Sequence, residues 1–243
     1  MIDVRWAWIV LDTVDGDAEV AEAFWSDVTR AVGTRRSGSR EEFAALEPER
    51  GDAWVLLQRE TEPSGHGAHL DLVVAGSVAD AAADAERLGA RMLSRSDDLV
   101  VLASPAGAAF CLLPLSEGDE TSEQVREGQP DLLDQVCLDI PAGEYAREVD
   151  FWESLTGWPK RPGSLPEFVS LTRPDGIPVR LLLQRLGEEA GTARAHVDFA
   201  CHDRDASRTT HVAAGASVVS EHDFWTVMRD PVGRVYCLTH RKP

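Results

Sequence analysis

The chain has 243 residues, 43% hydrophobic and 27% charged, and its 24 basic against 42 acidic side chains leave a formal net charge of −18. That length suits one large domain or two ordinary ones, and so negative a chain is expected to avoid nucleic acid and anionic membrane surfaces. The four cysteines, Cys111, Cys137, Cys201 and Cys237, form no C-x-x-C pair, the amino terminus shows no basic or long apolar leader, and no segment approaches a membrane span, so the expectation is a reduced, cytoplasmic protein without a zinc knuckle.

Residues 4–12 alternate aromatic and β-branched side chains and read as a strand, closed by a turn over Thr13–Gly16. Residues 17–32 show helical spacing, with Val20, Phe24 and Val28 as the apolar stripe, Asp17 as N-cap and Gly33 just past the end. Strands are expected near 41–46 and 52–59, then a turn at Glu62-Pro63-Ser64-Gly65. A second pass begins with a strand at 68–74, a helix over 78–88 stopped by Gly89, and strands near 91–95, 98–103 and 108–114, with a turn at Pro105-Ala106-Gly107. Both passes are read as β-α-β-β-β, the first with one of its strands not yet placed. Residues 116–130 are polar, acidic and almost without apolar side chains, which suits a solvated linker.

Beyond 130 the chain repeats itself. Leu11-Asp12 returns as Leu138-Asp139, Phe24-Trp25 as Phe151-Trp152, Leu56-Leu57-Gln58-Arg59 as Leu182-Leu183-Gln184-Arg185, and Gly89-Ala90 as Gly215-Ala216. Pro105-x-Gly107 returns as Pro231-x-Gly233 and Cys111-Leu112 as Cys237-Leu238, every offset being 126 or 127. Ordered matches at one offset mark a duplication. The expected domains are 1–115 and 131–243, joined by the 116–130 linker. The tetrapeptide Ala68-His69-Leu70-Asp71 and its copy Ala195-His196-Val197-Asp198 carry the most chemistry. Residues two apart in a strand share a face, so each His and Asp point the same way, opposite an apolar face.

Two β-α-β-β-β modules per domain, together with the Phe-Trp, Leu-Leu-Gln-Arg, Ala-His-x-Asp and Asp230-Pro231-Val232-Gly233 signatures, resemble the vicinal oxygen chelate superfamily of glyoxalases, extradiol dioxygenases and bleomycin-resistance proteins. The resemblance implies an α+β fold: two tandem glyoxalase-like domains, each a pair of βαβββ modules whose mixed sheet curls into a cup with helices outside. Metal-dependent members of that superfamily carry ligands on the first and fourth strands of each module, facing into the cup. Carried over, those positions fall on Gln135, Gln184, His196 and Cys237 in the second domain and on Trp8, Gln58, His69 and Cys111 in the first.

The donors depart from the metal-binding pattern. The second domain offers one imidazole, two amides and a thiol, with Cys237 where catalytic members usually have glutamate; in the first, the indole of Trp8 cannot ligate. No cofactor is therefore expected, with a divalent metal in the second domain as the alternative. The first cup would be aromatic, lined by Trp8 and Trp54 with Gln58, His69 and Asp71 as polar handles. The second would be more polar, with Gln135, Cys137, Gln184, His196, Asp198, Cys237 and Thr226. His202, His211, His222 and His240 are expected at the surface and His66 at a cup rim.

The favoured function is a metal-poor cup binding a small aromatic or amphipathic molecule, in a monomer or homodimer. The alternatives are a metal-dependent lyase, isomerase or dioxygenase working through the second domain, and a non-catalytic structural or regulatory pseudo-enzyme. No G-x-S-x-G, P-loop, G-x-G-x-x-G or H-E-x-x-H motif accompanies the His-x-Asp pairs.

Overall fold

A computed structural model describes residues 1–61, 67–116 and 129–243. The Glu62–Gly65 turn, His66 and most of the expected linker lie outside them. The first repeat runs β1 (Val4–Val14), α1 (Ala18–Thr29), β2 (Gly33–Ser37), β3 (Phe43–Glu47), β4 (Val55–Glu60), β5 (Ala68–Val74), α2 (Val78–Arg87), β6 (Arg91–Arg95), β7 (Val100–Ala103) and β8 (Ala109–Pro114). The second runs β9 (Asp131–Ile140), α3 (Tyr145–Thr156), β10 (Lys160–Pro162), β11 (Phe168–Leu171), β12 (Arg180–Arg185), β13 (Arg194–Cys201), α4 (Arg204–Ala213), β14 (Ser217–Glu221), β15 (Trp225–Arg229) and β16 (Val235–Thr239). The β-α-β-β-β plan occurs twice in each repeat, and the expected α+β fold of paired modules is the fold observed.

Each repeat builds an eight-stranded mixed sheet, ordered β2-β3-β4-β1-β5-β8-β7-β6 and β10-β11-β12-β9-β13-β16-β15-β14. Hairpin-connected neighbours run antiparallel, whereas β5 with β8 and β13 with β16 run parallel. A parallel pair needs a long crossover, and α2 and α4 supply it. β5 is buried along all seven residues, as a strand with both faces covered should be.

Contacts divide the chain into two compact units, each drawing on both repeats. One comprises Met1–Ile9, His69–Thr121 and Val136–Ala195; the other comprises Val10–Ala68, Ser122–Gln135 and His196–Pro243. In the first unit Trp152 of α3 meets Phe110 of β8 edge-on, with ring centroids 5.0 Å apart, and its indole N–H donates to Glu148 at 2.8 Å. In the second, Trp25 of α1 stacks on Phe199 at 6.3 Å and meets Tyr236 edge-on at 5.4 Å. Its N–H donates to Asp230 at 3.0 Å. The repeated Phe-Trp pairs are thus aromatic anchors, each with its one polar atom satisfied.

Several local expectations need correction. The buried stripe of α1 is Ala21, Phe24, Trp25 and Val28, while Val20 is 50% exposed. Trp25 claims the core-facing position, and that rotates the stripe away from Val20. Asp17 stands at the N-cap without a side-chain cap bond. The helix ends at Arg30, which is left-handed at φ 58°, and not at Gly33, which opens β2. β1 runs on to Val14 through the expected turn. β2 and β10 were not expected: every residue in both is exposed, so no apolar alternation marks them, and pairing with β3 and β11 creates them.

Candidate functional site

The two His-x-Asp copies lie on β5 and β13, each with a cysteine brought alongside by the parallel neighbour. Asp71 stands in register with Cys111, and Asp198 with Cys237. The duplication therefore assembles imidazole, carboxylate and thiol twice, with the donor atoms of each trio within 4.8 Å of one another.

The two trios differ in openness. His69, Asp71 and Cys111 are only 7%, 6% and 6% exposed, and His69 Nδ1 lies 2.8 Å from Asp71 Oδ1. Burial first, and then the Asp71 charge, push the Cys111 thiol up to about 12. At neutral pH it is a protonated, neutral group with little power as nucleophile or ligand. In the other unit His196 Nε2 lies 3.3 Å from Asp198 Oδ1, and the His196 side chain keeps 16% exposure against 3% for Asp198. Gln135, on β9, donates its amide N–H to the second carboxylate oxygen at 2.5 Å. Gln135 therefore fixes one oxygen of Asp198, the other lies beside His196 without a hydrogen bond, and His196 is the member of this trio that still meets solvent. Nearby, Arg241 grips the buried Asp134 through both terminal nitrogens, at 2.8 and 3.3 Å. Burial works against the Arg241 charge, but Asp134, with a smaller contribution from Asp198, keeps it firmly protonated.

Gln135, His196, Asp198 and Cys237 thus come together in one unit, with Thr226, 1% exposed, beside the cluster's sheet on β15. Gln184 belongs to the other unit, where its side-chain oxygen receives the Cys137 thiol at 3.7 Å. Trp8, half-buried on β1, belongs to that unit as well. Gln58 is half-buried on β4 in register with Phe43. Trp54 precedes β4, donates its indole N–H to the Leu133 carbonyl at 2.7 Å, and lines a cavity with Arg30 and Leu133.

The sequence reading missed a buried polar network. His211, expected at the surface, is 0% exposed on α4. Its Nδ1 lies 2.9 Å from the Tyr236 hydroxyl and its Nε2 3.6 Å from Asp131 Oδ2. Arg30 donates to the other Asp131 oxygen at 2.6 Å. Burial alone would raise the Asp131 carboxyl, but the nearby polar groups of His211, Arg30 and Ser207, of which Arg30 makes the hydrogen bond, hold it down at about 2. The repeat carried a usable signal. Moved back by the repeat offset, Ser207, His211, Tyr236 and Asp131 fall on Ala81, Ala85, Phe110 and Val4, all buried. A core position in one copy predicts a core position in the other, whatever residue fills it.

A family model described as a glyoxalase-like domain matches twice, over residues 8–113 and 135–239. No curated protein sequence matched. Among solved structures, an extradiol ring-cleaving dioxygenase from B. fuscum is 17% identical, with a TM-score of 0.64 over 100% of this chain and 73% of that one. The Mn(II)-bound glyoxalase from Novosphingobium aromaticivorans is 16% identical, with a TM-score of 0.61 over 100% of this chain and 83% of that one. A xylose isomerase-like TIM barrel/4-hydroxyphenylpyruvate dioxygenase fusion protein is 14% identical, with a TM-score of 0.58. This chain covers 48% of that protein's length while 97% of its own is matched. At these identities the likeness is one of fold. Among the described residues, no helix is long and apolar enough to cross a membrane.

Proposed function

The chain belongs to the glyoxalase-like domain family of the vicinal oxygen chelate superfamily, and from that premise we infer that it binds a small aromatic or amphipathic molecule, with Gln135, His196 and Asp198 as its polar contacts. The observation that carries this reading is the asymmetry of the copies: the His69 trio is closed, whereas the His196 side chain is 16% exposed and backed by a fixed carboxylate. A polar group held in one orientation beside apolar walls is how small-molecule sites select their ligands. The assignment of 1–115 and 131–243 as the two domains, a cytoplasmic setting and a monomeric or homodimeric state complete the proposal.

A divalent metal, as in the Mn(II)-bound glyoxalase, has to be weighed against the donors present. The His69 trio is the poorer fit, because all three side chains are closed off from solvent and burial holds its thiol protonated. The His196 trio fits better: imidazole, carboxylate and thiol within 4.8 Å suit a borderline cation. That spacing favours a second reading, a metal-dependent lyase, isomerase or dioxygenase in which His196, Asp198 and Cys237 hold the ion. When bound, such an ion would supply Lewis acidity to a substrate oxygen. Gln135 would then orient Asp198, and His196 would face the substrate side.

Thermal-shift screening of metal-stripped protein with an aromatic library tests the first reading, since a ligand selective for the folded state raises the melting temperature. Hits should persist in the His69→Ala variant and weaken about tenfold or more in His196→Ala, the loss of one buried or charge-assisted contact. Equal effects of the two substitutions would sink the asymmetry. Stoichiometric metal in untagged protein, lost in His196→Ala, would move the conclusion to the second reading.

A further inference from the structure

Beside the carboxyl end of α1, wholly within the unit that holds His196, lies a cavity of about 260 Å³. Leu46, Val55, Leu132 and Leu133, all under 9% exposed, give it an aliphatic side; Trp54 and the charged Arg30, Asp131, Glu49 and Arg50 also line it. Val32, 69% exposed, marks its outer edge.

Arg30 is an unusual residue for its place. It forms the left-handed cap of α1 at φ 58°, ψ 38°, a conformation that side-chain-bearing residues adopt at a cost and glycine adopts freely. At the matching position of the second repeat, 127 residues on, the same left-handed cap is Gly157, at φ 70°. The first repeat thus accepts backbone strain and sets a guanidinium over the cavity. One terminal nitrogen is fixed by Asp131 at 2.6 Å and by the carbonyls of Val28 and Asp131 at 3.4 Å. Among the described residues Nε and the other terminal nitrogen donate to nothing, and the side chain is 34% exposed. Strain retained at a pre-oriented donor is the kind of feature that points to a site.

Charge and polarity restrict what would fit. Arg30 and Asp131 neutralise each other, and the remaining charged lining residues, Glu49 and Arg50, cancel in formal charge. Trp54 has already spent its N–H on Leu133, so it offers its ring. We propose that this cavity is a second ligand site, separate from the His196 cluster, which takes an uncharged one- or two-ring aromatic whose hydroxyl or carbonyl oxygen accepts from Arg30. Its volume lies just below the range of drug-sized pockets, about 300–1,000 Å³, and so suits a small ring system.

The test titrates the full chain with 2-naphthol by isothermal calorimetry, with 2-naphthoate as the charged comparison. Saturable 2-naphthol binding is expected, with 2-naphthoate weaker. Val32→Trp, an exposed substitution that blocks the mouth, and Arg30→Gly, which relieves the left-handed cap while removing the donor, should each weaken binding about tenfold or more. Val219→Trp, at an exposed position of β14 away from the cavity lining, should leave it unchanged. Absence of saturable binding, full affinity in Val32→Trp, or an equal loss in Val219→Trp would overturn the site; tighter binding of 2-naphthoate would overturn the uncharged ligand class.

Discussion

Asp131 shows how one residue ties stability to pH. Its carboxyl is held at about 2 against an ordinary 3.8. A depressed acid contributes fully above its unfolded pKa, and that contribution is lost as pH falls through the folded one. The shift corresponds to roughly 2 kcal/mol, present at pH 5 and above and eroding between about pH 4 and pH 2. Asp131→Asn removes this dependence and also disturbs Arg30 and His211, so it should be less stable at neutral pH by about 3 kcal/mol. Urea unfolding at steps from pH 5.5 to pH 3 should show the two proteins converging as the pH drops. Parallel curves would mean that the Asp131 network does not survive in solution.

At the scale of elements, the two repeats satisfy the same buried indole in different ways. Trp25 uses a carboxylate from the β15–β16 turn, Asp230, whereas Trp152 uses one from its own helix, Glu148. The matching positions are exchanged in step: Glu148 corresponds to Ala21, and Asp230 to Ser104. Glu148 in turn receives the backbone N–H of Ala106 at 2.9 Å, so the helix and the β7–β8 turn stay joined. The price is a carboxyl raised by burial, despite hydrogen bonds from Ser104, Ala106 and Trp152. A raised acid contributes fully below its unfolded value, here 4.5, and the contribution is lost as pH rises through the folded value. Glu148→Gln keeps the acceptor for one N–H and cannot ionise. Its stability relative to the wild type should therefore improve from pH 4.5 toward pH 8, read by denaturant midpoints; a constant difference would show that Glu148 carries no such strain.

Elements also show what was legible beforehand. β5 was readable residue for residue, because apolar residues alternate with His69 and Asp71, continue through Leu72-Val73-Val74 and end at a glycine turn. The turn at Pro105-Ala106-Gly107 was readable too, since Gly107 takes φ 94° there and closes on Ser104. β2 was not, because Gly-Thr-Arg-Arg-Ser becomes a strand only when β3 pairs with it. The left-handed Arg30 was hidden by a nearby glycine that offered an easier stop. At the site, alternation grouped His196 with Asp198, but only the parallel register of β13 and β16 shows Cys237 joining them. His211 was hidden because its burial depends on Asp131 and Tyr236, residues 80 and 25 positions away.

For the whole molecule, the consequence lies in how the duplication is used. Each compact unit takes its parts from both repeats: Trp25 of the first repeat sits against Phe199 and Tyr236 of the second, and Phe110 of the first against Trp152 of the second. A single repeat therefore holds half of each aromatic core and the partner surface of neither. Trp25, Trp152, Phe110, Phe199 and Tyr236 are all below 2% exposed in the full chain, and a lone repeat would present them to water, at about 25 cal/mol per Å² of apolar surface. Residues 1–115 expressed alone should then be recovered as a dimer, a second copy supplying the missing half, or as a non-cooperative, aggregation-prone monomer. Mixing them with residues 131–243 should restore a one-to-one complex that melts cooperatively. Sedimentation and calorimetry of the separate and mixed pieces decide the matter. A monomeric 1–115 fragment with a sharp melt would show that a repeat is self-sufficient and that the shared cores are a refinement rather than a requirement.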